Sequence, residues 1–471
     1  MRSLNLRHQP WARWDKQYIW HPFTQQQQWE ADPDLVVIER GQGTQLIDVQ
    51  GRSWLDGVSS LWCNVHGHRV PALDQALQTQ LKKIAHSTFL GLTNVPAIEL
   101  ARTLIHLAPR GLQRVFYSDS GSEANEIAMK MAFQYWKQQE PARSSKKMFL
   151  TFQDGYHGDT IGSVSMGGIT LFHGIFEPLL FKTIRLPNPQ SSKGQFPNQP
   201  QRWLAFCVQQ VKRALQRYHT QLVAVHMEPL ISGAGGMLLH PKGFLKKIRQ
   251  LCDQYQVLLI VDEVATGIGR TGTWFACEQE QVTPDLLCVA KNLTGGYLPL
   301  AATLTTEKIY KAFWGAPHAK KTFYHGHTFT GNPLACAVAT ANLRLIQKHH
   351  LLKSVRQKSQ WLQNALKTLQ SHPYVLETRL VGLMGGIEIV QNKKTRAPFP
   401  DHLQVGVRIC HEARKYGILL RPLGDVIVLM PPLAISMKDL KRLVEGIQSS
   451  LNHVINHLTI SKGSFANEKG F

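Results

Sequence analysis

Two residues of opposite charge stand at the ends of neighbouring apolar runs, and they are the first candidates for chemistry. Asp262 closes Leu259-Ile260-Val261, and Lys291 follows the run Leu286 to Ala290 just before Gly295-Gly296. Ligands of open α/β sheets collect outside the carboxyl ends of the strands, so the two side chains are placed to face one ligand. A lysine amine can attack a carbonyl and afterwards carry a proton, while a carboxylate can hold a positive charge opposite it. Either residue alone is more often a solvated loop residue. The ordered series from Asp262 through Gly269-Arg270-Thr271-Gly272 and Pro284-Asp285 to Lys291 argues instead for a built site.

Two further stretches carry side chains of the same kind. Tyr117 to Glu126 includes Ser120-Gly121-Ser122 and opens a helix; free backbone N–H groups, a hydroxyl and the positive dipole end suit a phosphate there. An ordinary Ser N-cap with acidic first-turn residues explains the same composition without a ligand. In Gly155-Tyr156-His157-Gly158 the aromatic ring of Tyr156 is either a stacking surface or a core tyrosine.

The elements that must position these residues follow from periodicity. From about residue 75 to residue 340, helix-period segments alternate with short apolar runs, the pattern of an α/β domain with a mainly parallel sheet. Strands are predicted at 114–118, 148–152, 222–227, 257–261 and 286–290, and helices at 124–138, 242–255 and 333–348. Pro, Gln, Ser and Asn in 187–201 predict a surface loop. Residues 35–56 alternate around Gly41, Gly43 and Gly51, which predicts small antiparallel strands. Residues 350–455 mix helices with strands at 385–390 and 426–430, and the polar tail from Thr459 is expected to fray.

The series from Asp262 to Lys291 resembles the cofactor-attachment signature of class III aminotransferases, and similarity to that family runs from residue 18 to about residue 455. The resemblance implies pyridoxal 5'-phosphate as cofactor and the fold type I of such transferases. In that fold a large mainly parallel α/β domain, 67–341, joins a smaller α+β domain built from both chain ends, 1–66 and 342–471. It implies that Lys291 bonds the cofactor aldehyde and moves the substrate proton, that Asp262 keeps the ring nitrogen protonated, and that Tyr156 stacks on the ring. Gly121 and Ser122 are implied to hold the phosphate. In His325-Gly326-His327-Thr328-Phe329-Thr330-Gly331-Asn332-Pro333, His327 and Thr328 are implied to reach the phosphate of a neighbouring subunit, which makes an obligate homodimer. Many relatives carry Pro where His327 stands.

Three more stretches are similar to the branch of the family that works in biotin biosynthesis: Trp20-His21-Pro22-Phe23-Thr24-Gln25, Gly91-Leu92-Thr93 before Pro96 to Leu100, and Ile418 to Pro422 followed by Met430-Pro431-Pro432. That likeness implies 8-amino-7-oxononanoate as acceptor and S-adenosyl-L-methionine as donor, with Phe23, Trp62, Tyr156, Lys291, Gly326 and Arg421 as substrate contacts. A long aliphatic acceptor with a terminal carboxylate needs an apolar channel ending in a fixed cation. Arg421 suits that end because a guanidinium grips a carboxylate with two parallel bonds. Members with Tyr at position 23 and Trp at position 61 are familiar, so Phe23 and Leu61 leave out a hydroxyl and an indole. The competing member of the family is an ornithine- or 4-aminobutyrate-type aminotransferase. Such relatives commonly place an acidic residue soon after the Glu-Pro pair, whereas Glu228-Pro229 is followed here by Leu230 to Gly236 with none.

Composition bounds the remaining classes. The 471 residues are 43% hydrophobic, as in globular proteins, and no apolar run approaches the length of a membrane span. Met1 to Pro10 lacks the apolar core of a signal peptide, so a cytoplasmic enzyme is expected. The net charge of +21 raises the alternative of a basic, non-catalytic binding protein. Its basic residues are dispersed, with short clusters such as Arg143 to Lys147, and no nucleic-acid motif accompanies them. The seven cysteines are scattered without a C-x-x-C pair, so free thiols and no metal site are expected.

Overall fold

The computed structural model describes residues 10–139 and 145–466. Most of Met1 to Pro10 and the start of the basic cluster at Arg143 lie outside the described residues.

The chain enters through three antiparallel strands, β1 (Ile38–Gln42), β2 (Gln45–Asp48) and β3 (Ser53–Asp56). The large sheet follows with β4 (Leu112–Ser118), β5 (Met148–Phe152), β6 (Ile184–Leu186) and β7 (Leu222–Met227). After a two-residue hairpin, β8 (Ile231–Ser232) and β9 (Leu238–Leu239), it is completed by β10 (Leu258–Asp262), β11 (Leu286–Val289) and β12 (Ala301–Thr306). Its order is β4-β12-β11-β10-β7-β5-β6, with β12 antiparallel to both neighbours and the other pairings parallel.

Both faces of this sheet are covered, which is why its strands read as unbroken apolar runs. Leu258, Ile260, Leu286 and Cys288 pack with Ile127, Met131 and Trp136 of the Gly121–Lys137 helix. Their alternates Leu259, Val261, Leu287 and Val289 join the opposite core with Leu100, Leu104 and Ile248. The period of two in strand side chains thus assigns each residue to one of two cores.

The C-terminal part adds β13 (Val375–Val381), β14 (Met384–Ile389), β15 (Ile418–Leu419), β16 (Pro422–Leu423) and β17 (Val426–Leu429). β13, β14, β17 and β16 form one antiparallel sheet, and β15 pairs in parallel with β3, setting Leu55 opposite Ile418. The two ends of the chain therefore share a sheet.

Three expectations change. The 187–201 stretch is no simple surface loop, because it folds into a short helix, Pro189–Ser192, and a 3₁₀ turn before the helix beginning at Pro200; Pro189 and Ser192 are buried. The tail does not fray at Thr459, since the helix that starts at Met437 continues to Ala466; residues 467–471 lie outside the described residues. Strand β12, absent from the prediction, buries Ala301 to Thr305, with Thr303 Oγ1 donating to Ala124 O at 2.8 Å. All seven cysteines are free thiols. Among the described residues no helix is long and apolar enough to cross a membrane.

Candidate active site

A cavity of about 410 Å³ opens at the carboxyl ends of the central strands. Asp262 is the last residue of β10, and Lys291 is the first residue after the extended Ala290 that follows β11. Lys291 holds φ at +44°, a left-handed conformation that costs a non-glycine residue about 1–2 kcal/mol. Strain of this kind gathers where a side chain must point in one direction. Burial pulls the Lys291 ammonium below its ordinary value, opposed by the carboxylates of Asp262 and Glu228.

The second strained piece is a left-handed turn of four consecutive non-glycine residues, Ser59 to Trp62, with φ of 53°, 47°, 71° and 72°. Asp56 pays for part of it: its carboxylate accepts from Ser60 N at 2.9 Å and from Ser60 Oγ at 2.7 Å. Ser59 Oγ donates to Met430 O at 2.5 Å and accepts from Arg270 Nη2 at 3.3 Å. The turn delivers Trp62 to the cavity wall, with Lys291 Nζ 5.6 Å from the centre of its ring. Arg270 is fully buried and reaches the carbonyls of Leu383 and Pro431 as well, so it ties three distant segments together behind the cavity.

The Gly121–Lys137 helix begins at the opposite wall. Ser120 caps it in a reciprocal box with Glu123, which satisfies the Ser120 and Glu123 amides and leaves those of Gly121 and Ser122 without intrahelical acceptors. Close approach explains two glycines here. A Cβ on Gly121 would stand 2.6 Å from Val264, and one on Gly158, whose φ is +122°, would stand 2.0 Å from Ser122 Oγ. The loop 155–158 can therefore lie directly on the helix start. Tyr156 lines the cavity, donates its hydroxyl to Asp159 Oδ2 at 2.7 Å, and stacks against His173.

These walls fit pyridoxal phosphate. An amine, a carboxylate, an aromatic face and amides at a helix start surround one cavity large enough for it, and the amides of Gly121 and Ser122 have no intrahelical acceptor to compete with an anion.

Of the residues expected from sequence, the cavity joins Trp62, Gly121, Ser122, Tyr156, Asp262 and Lys291. Phe23, Gly326, His327, Thr328 and Arg421 do not line it within one chain. Phe23 and Arg421 do meet each other, the guanidinium standing 5.9 Å from the ring centre, and Phe23 packs edge-on against Phe172 at 5.2 Å. His327 pairs with Glu123 Oε2 at 3.2 Å, while Gly326 and Thr328 are exposed.

Sequence reasoning missed the groups that hold Asp262. Its Oδ2 accepts from His157 Nδ1 at 2.8 Å and from Asn125 Nδ2 at 2.9 Å, and its Oδ1 accepts from Val264 N at 3.0 Å. Asn125 lies one turn along the Gly121–Lys137 helix and His157 beside Tyr156, so both sat inside motifs already singled out. Glu228, the acidic half of the Glu-Pro pair, also lines the cavity and accepts from Gly233 N and Tyr156 N.

Burial raises the Glu228 carboxyl to about 7, against the pull of His157 and of the two amides and with help from Asp262. The unfolded chain ionises this group near 4.5, so between the two values the native state binds the extra proton. Stability from this group is complete below 4.5 and is lost as pH rises through 7. Urea denaturation of cofactor-free protein at pH 5, 6.5 and 8 should show a slope that Glu228→Gln flattens, by up to about 3 kcal/mol across the window. An unchanged slope would place the Glu228 proton elsewhere.

Comparison with known proteins gives a consistent result. The profile of the family described as aminotransferase class-III matches residues 26–451. An adenosylmethionine-8-amino-7-oxononanoate aminotransferase of Nitratidesulfovibrio vulgaris is 48% identical over 94% of this chain and 82% of its own length. One of Geobacter sulfurreducens is 46% identical, over 94% of this chain and 97% of its own. Among solved structures, the enzyme of that name from Methanocaldococcus jannaschii superimposes with a TM-score of 0.89 at 40% identity, covering 94% of this chain and 98% of that one. An (S)-enantioselective omega-transaminase from Thermomicrobium roseum superimposes equally well at 33% identity, with the same coverage.

Proposed function

The chain belongs to the class III aminotransferase family, and on that premise we propose that it transfers an amino group from S-adenosyl-L-methionine to 8-amino-7-oxononanoate, giving 7,8-diaminononanoate. The observation that carries the reading is near-full-length identity of 46–48% to aminotransferases named for that reaction, together with an amine and a carboxylate on one cavity. The fold is fold type I and the cofactor is pyridoxal phosphate. We assign 67–341 to the cofactor-binding domain and 1–66 with 342–471 to the smaller one, a division that the β3–β15 pairing supports.

Pyridoxal phosphate bound in the cavity supplies an electron sink for the bond broken next to the substrate amine. Each remaining task falls to a residue of the chain. Lys291 would anchor the cofactor through Nζ, and when not so engaged the same nitrogen would take and return the substrate proton. Burial lowers its basicity, which eases release of a proton from the same nitrogen. Asp262 would hold the positive ring nitrogen, the amides of Gly121 and Ser122 would hold the phosphate, and Tyr156 would fix the ring plane. Trp62 and Phe23 exclude water from the channel, and Arg421 grips the distal carboxylate of the acceptor. Chemistry proceeds in two halves, donor first and acceptor second.

The stretch after Glu228, Leu230 to Gly236, has no acidic side chain to neutralise an arginine for amine donors, which favours this substrate pair over ornithine or 4-aminobutyrate. The deciding experiment incubates purified enzyme with 8-amino-7-oxononanoate and, in turn, adenosylmethionine, lysine, ornithine and 4-aminobutyrate. Diaminononanoate forming with adenosylmethionine supports the reading; product from ornithine or 4-aminobutyrate alone would replace it.

We propose that the working unit is a homodimer. Leu90, Leu92, Val95, Ile98 and Phe329 are exposed around the loop that carries Thr328. That loop is tied to their segment by Asn94 Nδ2 donating to Gly331 O at 3.0 Å. An apolar surface of this kind suits a second copy. Thr328→Ala is expected to weaken cofactor retention roughly tenfold, as loss of one hydrogen bond to a charged group. Mixed with Lys291→Ala subunits it should regain activity, because one of the two sites in the mixed dimer then has both residues. Subunit exchange without regained activity would remove Thr328 from the site.

A further inference from the structure

We propose that His226 is a positioning residue that acts through Asn125 and His157 to hold the Asp262 carboxylate as an ionised acceptor for the cofactor ring. The inference rests on the assignment of Asp262 above and adds a role for a residue that no motif marks. His226 is fully buried in β7, with Ile260 of β10 as its register partner, and it faces the Gly121–Lys137 helix.

Hydrogen bonding fixes the orientation of every group in this cluster. Asn125 Nδ2 has three acceptors around it: Gly121 O at 3.0 Å, His157 O at 3.1 Å and Asp262 Oδ2 at 2.9 Å. The amide oxygen must then face the other way, where His226 Nε2 stands at 2.9 Å. An oxygen there requires a donor, so His226 carries its proton on Nε2 and leaves Nδ1 bare. That Nδ1 is buried with no hydrogen-bond partner among the described residues, which a neutral ring tolerates far better than a charged one. Burial also pushes His226 well below the usual histidine range, and neighbouring His157 adds to this.

The ring does a second job. It stacks on His157 with centroids 4.0 Å apart and planes 24° from parallel, which fixes the plane in which His157 Nδ1 meets Asp262 Oδ2. The titratable groups facing this cluster are His157 and Tyr156 from the loop after β5, Asp262 at the end of β10, Glu228 just after β7, Cys288 of β11 and Lys291 just beyond β11. Asp262 thus accepts two bonds on Oδ2 and one on Oδ1. With two acceptor positions on each oxygen, one on Oδ1 remains for a ring N–H. Without His226, the Asn125 oxygen loses its donor, and turning the amide over would point that oxygen at the carboxylate.

The test compares His226→Leu, which keeps bulk and removes the donor, with His226→Gln, which keeps an N–H. Both are purified as holoenzyme, and three quantities are read: cofactor dissociation by equilibrium dialysis, the pH midpoint of the bound cofactor's visible band, and thermal melting. The Leu variant is expected to bind pyridoxal phosphate about tenfold more weakly and to shift the midpoint, while the Gln variant keeps both near wild type. A Leu variant unchanged in both, or a Gln variant as impaired as Leu, overturns the proposal. If the Leu variant does not fold, ¹⁵N-histidine NMR of the wild-type holoenzyme decides. His226 should stay neutral with its proton on Nε2 from roughly pH 6 to 9, and a proton on Nδ1 or a titrating ring overturns the proposal. Asp262→Asn runs alongside: if it leaves affinity and band unchanged, the assignment of Asp262 fails. If Asp262→Asn changes both and His226→Leu neither, the role of His226 alone fails.

Discussion

Lys291→Ala is expected to abolish turnover while the protein keeps its fold and a weakened hold on pyridoxal phosphate. Among the described residues Nζ is the one amine on the cavity wall, so its removal would take away both the proposed covalent anchor and the proposed proton-moving group. Proton transfer by a positioned base contributes about 10²–10⁴-fold by itself, and loss of the anchor adds to it. The measurement has two arms. Borohydride treatment of the wild-type holoenzyme should fix a pyridoxyl label on the peptide carrying Lys291, and the variant should release its cofactor on denaturation even after reduction. Single-turnover mixing of the variant with donor should show no product on the timescale of wild-type turnover. Label on another lysine, or undiminished turnover by the variant, would move the site elsewhere.

That this residue could be chosen from sequence has a physical reason. Asp262 ends β10 and Lys291 follows just beyond the adjacent β11, two strands whose unbroken apolar runs announce burial on both faces, so their side chains had to emerge at one sheet edge. The helix at Gly121 was equally legible, because Ser120 and Glu123 form a capping box that depends on local spacing alone. What sequence could not give is set by contacts between distant segments. The left-handed turn from Ser59 to Trp62 contains no glycine, so local propensity opposes it, and it exists because Asp56, Arg270 and Met430 hold it. Asn125, His157 and His226 meet around Asp262 from three different elements, and each alone reads as a satisfied core residue. β12 was missed for a related reason: Ala301 to Thr306 is short and rich in Ala and Thr, and its burial comes from the neighbours on either side.

Removal of Arg421, the proposed carboxylate anchor, is the second large effect expected. In the structure Arg421 is exposed and stands over the face of Phe23, which itself packs on Phe172, so a cation is held at the end of an aromatic strip. A carboxylate gripped there gains charge-assisted hydrogen bonds, and truncating one partner of a desolvated pair costs about 2–5 kcal/mol. Because Arg421 is exposed in the single chain, the low end of that range applies. Arg421→Ala is then expected to lose about 30-fold in acceptor kcat/KM, each ~1.4 kcal/mol being tenfold. Adenosylmethionine carries a carboxylate of its own that can use the same guanidinium, so a fall in rate alone does not identify the acceptor. The discriminating comparison is between 8-amino-7-oxononanoate and its analogue without the distal carboxylate, each measured with wild type and variant in the acceptor half-reaction. Wild type should prefer the carboxylated acceptor, and Arg421→Ala should treat the two nearly alike. Arg421→Lys should recover part of the preference, since an ammonium restores the charge but not the two parallel N–H bonds. If the Ala variant discriminates as fully as wild type, Arg421 does not anchor the acceptor. The chemical argument for a long chain ending in a carboxylate then loses its cation, and the amine-type transaminases become the better guide to the substrate.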